Sequence, residues 1–132
     1  MERQLKILIL DDEEIVCTRL KPTLEKAGYL VETFIDSREA KKALEHEQFD
    51  IVVTDLKMAN IDGMELFRFV KDKWPETEVI IISGFATIDV TRAALQAGVR
   101  DIIPKPFRIS QLRDLINEVA SEIKQTREKE EH

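Results

Sequence analysis

The sequence predicts an α/β domain: a doubly wound, five-stranded parallel sheet with strand order 2-1-3-4-5. Three observations carry that expectation. Short apolar runs alternate five times with longer amphipathic stretches, the pattern of a parallel sheet covered by helices on both faces. The first, third and fourth runs are contiguously apolar, as central strands are, whereas the second contains Glu32 and suits an edge. Right-handed crossovers leave few topologies, and 2-1-3-4-5 fits best.

Each element follows in order. Lys6 to Leu10 opens the sheet, with Ile7, Leu8, Ile9 and Leu10 contiguous. Glu14 to Ala27 reads as a helix, its Val16, Leu20 and Leu24 four apart and Gly28 closing it. Pro22 lies inside that pattern, where it removes a backbone donor and crowds the Thr18 carbonyl at a cost of about 3 kcal/mol, so a bend is expected there. Val31 to Phe34 is the second strand. Asp36 or Ser37 caps a helix carrying Ala40, Ala43 and Leu44. Ile51 to Thr54 is the third strand, and Gly63 precedes a helix that turns Leu66, Phe67 and Val70 inward. Val79 to Ile82 is the fourth and most hydrophobic strand. The helix from about Thr87 to Ala97 is expected to bury Ala94 and Leu95, with Gly98 at its end. Asp101 to Pro104 is a shorter fifth strand. Leu112, Leu115, Ile116, Val119 and Ile123 stripe a final helix at spacings of three and four. Beyond Ile123 no apolar residue remains, so the helix is expected to fray or project into solvent. The domain is therefore set at residues 1–124, with 125–132 a charged tail or the start of a linker.

Composition bounds the function. At 132 residues, with 43% apolar and 35% charged residues, the chain has the makings of one domain with a sizeable core and excludes low-complexity or wholly disordered classes. No apolar run approaches the ~18 residues of a membrane span, and the opening Met-Glu-Arg-Gln lacks the hydrophobic segment of a signal peptide, so a cytoplasmic chain is expected. Cys17 stands alone, which excludes an internal disulfide and a cysteine metal site; it is expected to pack, partly buried. Lys and Arg number 20 against 26 Asp and Glu, a net charge of -6 that argues against non-specific nucleic-acid binding. The chain after Ile109 forms only the last helix, leaving no room for a DNA-binding module.

The informative polar residues are those that end strands. Asp11, Asp12 and Glu13 follow the first, Asp55 ends the third, Ser83-Gly84 ends the fourth and Pro104-Lys105-Pro106 ends the fifth. A parallel sheet brings all of them to one carboxyl edge, with the crevice between strands one and three as the expected site. Taken singly, each is also an ordinary cap or turn, and the run Asp11 to Glu13 is simply favourable at a helix start. Together they say more. Three converging carboxylates raise one another's pKa unless a cation compensates, and Mg²⁺ suits a few oxygen ligands with retained water. Lys105 adds a fixed positive charge and Ser83 a hydroxyl. Cations and a hydroxyl around one carboxylate describe a phosphoryl-transfer site, with Asp55 best placed as nucleophile.

These residues resemble the receiver domain of bacterial two-component response regulators over residues 5 to 124. Asp11-Asp12 matches the family's metal-binding pair. Asp55-Leu56-Lys57-Met58-Ala59-Asn60-Ile61-Asp62-Gly63 matches the phosphoacceptor and its loop. Ser83 stands at the hydroxyl position, and Lys105-Pro106-Phe107 matches the Lys-Pro-Phe ending. The four motifs fall in order at spacings of 44, 28 and 22 residues from Asp11 through Lys105. The resemblance implies the flavodoxin-like receiver topology and a phosphoryl group accepted by Asp55 from a sensor histidine kinase. It also implies Mg²⁺ held by Asp12 directly, Asp11 mainly through water, Asp55 and the Lys57 backbone carbonyl. Lys105 would pair with the phosphoryl group, Ser83 would move to hydrogen-bond it, and the Lys105-Pro106 peptide would be cis.

Two positions depart from the family's pattern. Ala59 stands where proline is frequent, which changes loop stiffness rather than chemistry. Ile102 stands where a Tyr or Phe usually swings inward as the hydroxyl residue moves, so that aromatic half of the switch is absent from its usual place. Lys57 and Phe85 occupy positions that the resemblance associates with the lifetime of the acyl phosphate, and moderate to slow self-dephosphorylation is expected. Kinase docking is expected on the first helix near Ile15. Homodimerisation through the fourth helix, fifth strand and fifth helix is common among relatives.

Other classes are weighed against this one. An aspartyl-phosphate-type phosphatase usually carries a second Asp two residues after its nucleophile at the end of strand one, whereas the residue two beyond Asp11 is Glu13; no metabolite substrate is expected. A dinucleotide binder needs a Gly-rich turn where this chain has acids. A degenerate receiver serving only as an interaction module is disfavoured by the intact set Asp11, Asp12, Asp55, Ser83 and Lys105. Segments such as Ser83-Gly84-Phe85-Ala86 look similar to receivers attached to transcriptional activators, so an output domain or the transcription machinery is an expected partner.

Overall fold

A computed structural model describes residues 3–131 of the chain. The expectations touching Met1, Glu2 and His132, at the ends of the domain and tail assignments, lie outside the described residues. The elements run β1 (Lys6–Leu10), α1 (Glu14–Lys26), β2 (Leu30–Phe34), α2 (Ser37–His46), β3 (Ile51–Asp55), α3 (Gly63–Lys73), β4 (Glu78–Ser83), α4 (Ile88–Ala97), β5 (Asp101–Pro104) and α5 (Ile109–Glu131). The five strands form one sheet in the order β2-β1-β3-β4-β5, and every pair is parallel.

The contiguous apolar runs are explained by two cores, one on each face. Alternate strand residues point to opposite sides. Ile7, Ile9, Ile51, Val53, Ile80 and Ile82 pack with Leu20 and Leu24 of α1 and Leu112, Ile116 and Val119 of α5. Leu8, Leu10, Val52 and Ile81 pack instead with Ala40, Leu44, Leu66, Phe67, Val70 and Ala94 from the other three helices. Helix starts are fixed by side-chain acceptors: Asp36 takes the Arg38 N–H, Asp62 the Glu65 N–H and Thr87 the Val90 N–H. Gly98 closes α4 at φ 110°, a conformation that favours glycine.

Three local expectations are refined. Leu95 is 45% exposed rather than buried, because the helical step from Ala94 carries it off the narrow stripe with which α4 meets the sheet. α1 runs unbroken through Pro22, and the hydroxyls of Thr18 and Thr23 donate back to the carbonyls of Glu14 and Arg19. Of the two outcomes expected after Ile123, α5 takes projection into solvent: it stays helical to Glu131, with most of its last residues exposed. Its distal part is tied to the sheet by Arg127, whose guanidinium pairs with Asp50 at the start of β3. Asp50 is buried and also accepts from the Lys6 N–H at 2.8 Å and from Arg3 at 3.1 Å. Among the described residues no helix is long and apolar enough to cross a membrane.

Candidate functional site

The register sets which residues meet at the carboxyl rim. Leu10 pairs with Thr54, Asp55 with Ile82, and Ser83 with Pro104, so the strand ends lie side by side. Asp11 leaves β1 with its N–H on the Phe34 carbonyl at 3.1 Å, and its Oδ1 accepts from the Glu13 N–H at 2.8 Å. Asp55 is the last residue of β3, fixed by the next peptide, where the Leu56 N–H donates to Ile82 at 3.0 Å. Asp11, Asp12 and Asp55 each offer a carboxylate oxygen within 4.8 Å of the others. Asp11 and Asp55 are buried and Asp12 is exposed.

Lys105 reaches the same acids from the opposite side. Its N–H donates to the Ser83 carbonyl at 2.8 Å, and its peptide bond to Pro106 is cis. The ammonium lies 2.8 Å from Glu13 Oε1, 2.9 Å from Asp11 Oδ2 and 3.2 Å from Asp55 Oδ2. One cation thus serves three carboxylates. Burial raises the pKa of Asp11, and the charge of Asp55 adds to it, while Lys105 pulls the other way. Burial also raises that of Asp55, with Lys105 opposing and Asp12 reinforcing. Burial works against the charge of Lys105, but Glu13, Asp11 and Asp55 outweigh it and push its pKa up. The Lys105 hydrogen bond holds Glu13 below its usual value.

This donor set fits a hard divalent cation. The wholly buried Asp11 Oδ2 has an ion pair but no aligned hydrogen-bond donor, and the surrounding negative charge is only partly compensated. An oxygen-rich, under-compensated cluster next to exposed Asp12 is the chemistry that Mg²⁺ favours.

The remaining sequence-predicted residues are distributed around this cluster. Ser83 is buried at the end of β4, where its Oγ accepts from the Phe85 N–H at 2.8 Å. Lys57 and Phe85 meet across the rim, with the ammonium 5.7 Å from the ring centroid, and both side chains are exposed. Ile102 is buried in the core shared with α2, α3 and α4. Phe107 packs against the other core, and Ile15 is exposed at the start of α1. Two glycines flank the site differently. A Cβ on Gly63 would stand 2.5 Å from the Asp55 carbonyl oxygen and 2.9 Å from Leu56 Cα, whereas one on Gly84 would meet nothing within 4 Å.

Sequence reasoning passed over two residues. Glu13 reads as helix-start charge, yet it caps nothing and pairs with Lys105. Ser37 reads as an alternative cap to Asp36, yet its hydroxyl bonds the loop after β3. Neither partnership has a sequence signal, since each joins segments far apart in the chain.

A profile of the response regulator receiver domain matches residues 7–117. The chain is 31% identical over 110 residues to the DNA-binding transcriptional regulator NtrC of Proteus hauseri, spanning 83% of this chain and 23% of that protein. It is 33% identical to the response regulator receiver protein CpdR of Brucella abortus, over 86% of this chain and 92% of that one. The chain therefore spans about a quarter of the length of several regulators it matches and nearly all of one small relative. Among solved structures, a CheY-like response regulator receiver domain protein from Methanospirillum hungatei superimposes with a TM-score of 0.87 at 28% identity, covering 94% of this chain and 99% of that one.

Proposed function

The chain belongs to the response regulator receiver family, and from that premise we propose that it is a signalling domain switched by phosphorylation of Asp55. The observation that carries the proposal is Lys105, whose ammonium spans Asp11 and Asp55 within 3.2 Å. A phosphohistidine of a sensor kinase is the donor. An Asp55 carboxylate oxygen attacks phosphorus, the new P–O bond forms as the P–N bond breaks, and the imidazole leaves. Lys105 meets the charge on the transferred group, and the Ser83 hydroxyl, whose oxygen accepts the Phe85 N–H, donates its own proton to a phosphoryl oxygen. Mg²⁺, held by Asp11, Asp12, Asp55 and the Lys57 carbonyl, supplies charge compensation for the phosphoryl oxygens when bound. Water then attacks phosphorus, the bond to the Asp55 oxygen breaks, inorganic phosphate leaves and the carboxylate is restored, and the chain acts on no metabolite.

Lys57 and Phe85 lie two residues beyond Asp55 and Ser83 and meet each other, with the ammonium 5.7 Å from the ring centroid, which supports a role in setting how long the acyl phosphate lasts. An unchanged decay rate in both Lys57→Ala and Phe85→Ala removes that role. The exposed Ile15 beside the Lys105 loop suits kinase docking, in the cytoplasm. Exposed Ile88 and Leu95 on α4 suit contact with an output domain, the transcription machinery or a second copy.

The test is incubation with Mg²⁺ and acetyl phosphate followed by intact mass. The expected result is the mass of one added phosphoryl group, lost in Asp55→Asn and on chelation. No addition in the unmodified chain overturns the proposal.

A further inference from the structure

The loop between β3 and α3 holds an unusual turn. Asn60 has φ 74°, and the Ile61 N–H donates back to the Ala59 carbonyl at 3.0 Å. A bond between residues two apart across a positive φ is a γ-turn of the rarer, strained kind. Such backbone persists only where its surroundings over-determine it.

The surroundings here are one hydroxyl. Ser37, buried at the first position of α2, donates to the Ala59 carbonyl at 2.9 Å and accepts from the Ile61 N–H at 3.1 Å. It bonds the same two backbone groups that close the turn. The α2 start is itself fixed, because Asp36 caps it through the Arg38 N–H. On the far side, the Gly63 N–H donates to the Leu56 carbonyl at 2.8 Å, which ties the loop's two ends together. The residues between these anchors are Lys57 and Met58.

We propose that Ser37 is a positioning residue for the metal site, clamping the Asn60 turn and thereby fixing the Lys57 backbone carbonyl. This rests on the proposed reading of the acidic cluster as a Mg²⁺ site with the Lys57 carbonyl, a ligand that the family resemblance implies, among its ligands. Ala59 stands where the family often has proline, so backbone stiffness that a ring would supply comes from a hydroxyl on a neighbouring helix. A carbonyl on a loose loop loses entropy on coordinating, and outer supports of this kind commonly alter metal affinity ten- to a hundredfold.

The experiment is calorimetric titration of the unphosphorylated chain with MgCl₂. Ser37→Ala is expected to weaken Mg²⁺ about tenfold. Asn60→Gly in that background is expected to recover none of the loss, because glycine permits a positive φ without holding it. Thr77→Ala is the control for general destabilisation. Its buried hydroxyl donates to the Phe49 carbonyl at 2.5 Å at the opposite end of the sheet, so it should lower Tm and leave Mg²⁺ affinity alone. Should Ser37→Ala not fold, Ser37→Cys keeps the shape and weakens both bonds, and an intermediate affinity is expected. Equal affinity in the Ser37 variant and its parent overturns the clamp, as does an equal loss in Thr77→Ala. If the parent itself binds no Mg²⁺, the underlying metal reading fails instead.

Discussion

Replacing Lys105 by Met tests the electrostatics of the site in the metal-free protein. The substitution keeps most of the aliphatic stem and removes the cation shared by Asp11, Asp55 and Glu13. Asp11 is wholly buried and the Asp55 side chain is 9% exposed, so both become charged groups with no compensating ammonium. Removing one partner of a fully buried pair costs about 3–5 kcal/mol. The Lys105 side chain is 16% exposed, which reduces this to about 2–3 kcal/mol. For 132 residues the unfolding entropy is about 0.28 kcal/mol/K, so Tm should fall by about 7–11 °C. The assay is thermal unfolding at neutral pH with a chelator, repeated under mildly acidic conditions. Acidification protonates the two acids and should narrow the gap, and saturating Mg²⁺ should narrow it as well. A Tm within about 2 °C of the parent at neutral pH would refute the claim that Lys105 compensates buried charge.

The parent should itself respond to pH. Asp11 and Asp55 have raised pKa values in the folded state, so that state binds more protons than the unfolded chain between their ordinary and raised values. The contribution of these two acids to metal-free stability should therefore rise as pH falls through the raised range and be complete below the ordinary value of 3.8, while that of Glu13 falls; denaturant unfolding of the parent against Asp55→Asn across that range checks the sign for Asp55. Asp55→Asn should raise neutral-pH Tm of the metal-free chain while abolishing phosphoryl addition, and a lower Tm would contradict it. Gly63→Ala should cost about 2 kcal/mol or more by denaturant unfolding, because its Cβ would meet backbone rather than a movable side chain. Arg127→Ala should speed amide exchange in the last two turns of α5 and leave acetyl phosphate chemistry intact, as measured by hydrogen exchange and mass.

The sequence was most informative where one physical rule decided the outcome. Contiguous apolar runs must be buried on both faces, so β1, β3 and β4 could be placed centrally, and Glu32 marked β2 as an edge. Strand-end placement then collected Asp11, Asp55, Ser83 and Lys105 at one rim. Side-chain contacts between distant segments were not legible. Nothing local says that Glu13 shares Lys105 with the two aspartates, or that the Ser37 hydroxyl is spent on a loop 22 residues away. The end of α5 was legible only in part: its lack of apolar residues left fraying or projection into solvent, the helix projects, and nothing local announces the arginine that finds a buried aspartate across the fold. Leu95 shows the limit of periodicity, since a helix at the margin of a sheet buries a stripe narrower than its apolar residues suggest.

The missing side chain at Gly63 has a mechanical consequence. The opening turn of α3 rests on the peptide that carries Asp55, with no room for even a methyl group between them. Strand and helix therefore form a single stiff abutment behind the acceptor. On the other flank, a side chain on Gly84 would meet nothing within 4 Å. The acceptor is thus walled by backbone on its α3 side and bordered by open space beyond the end of β4.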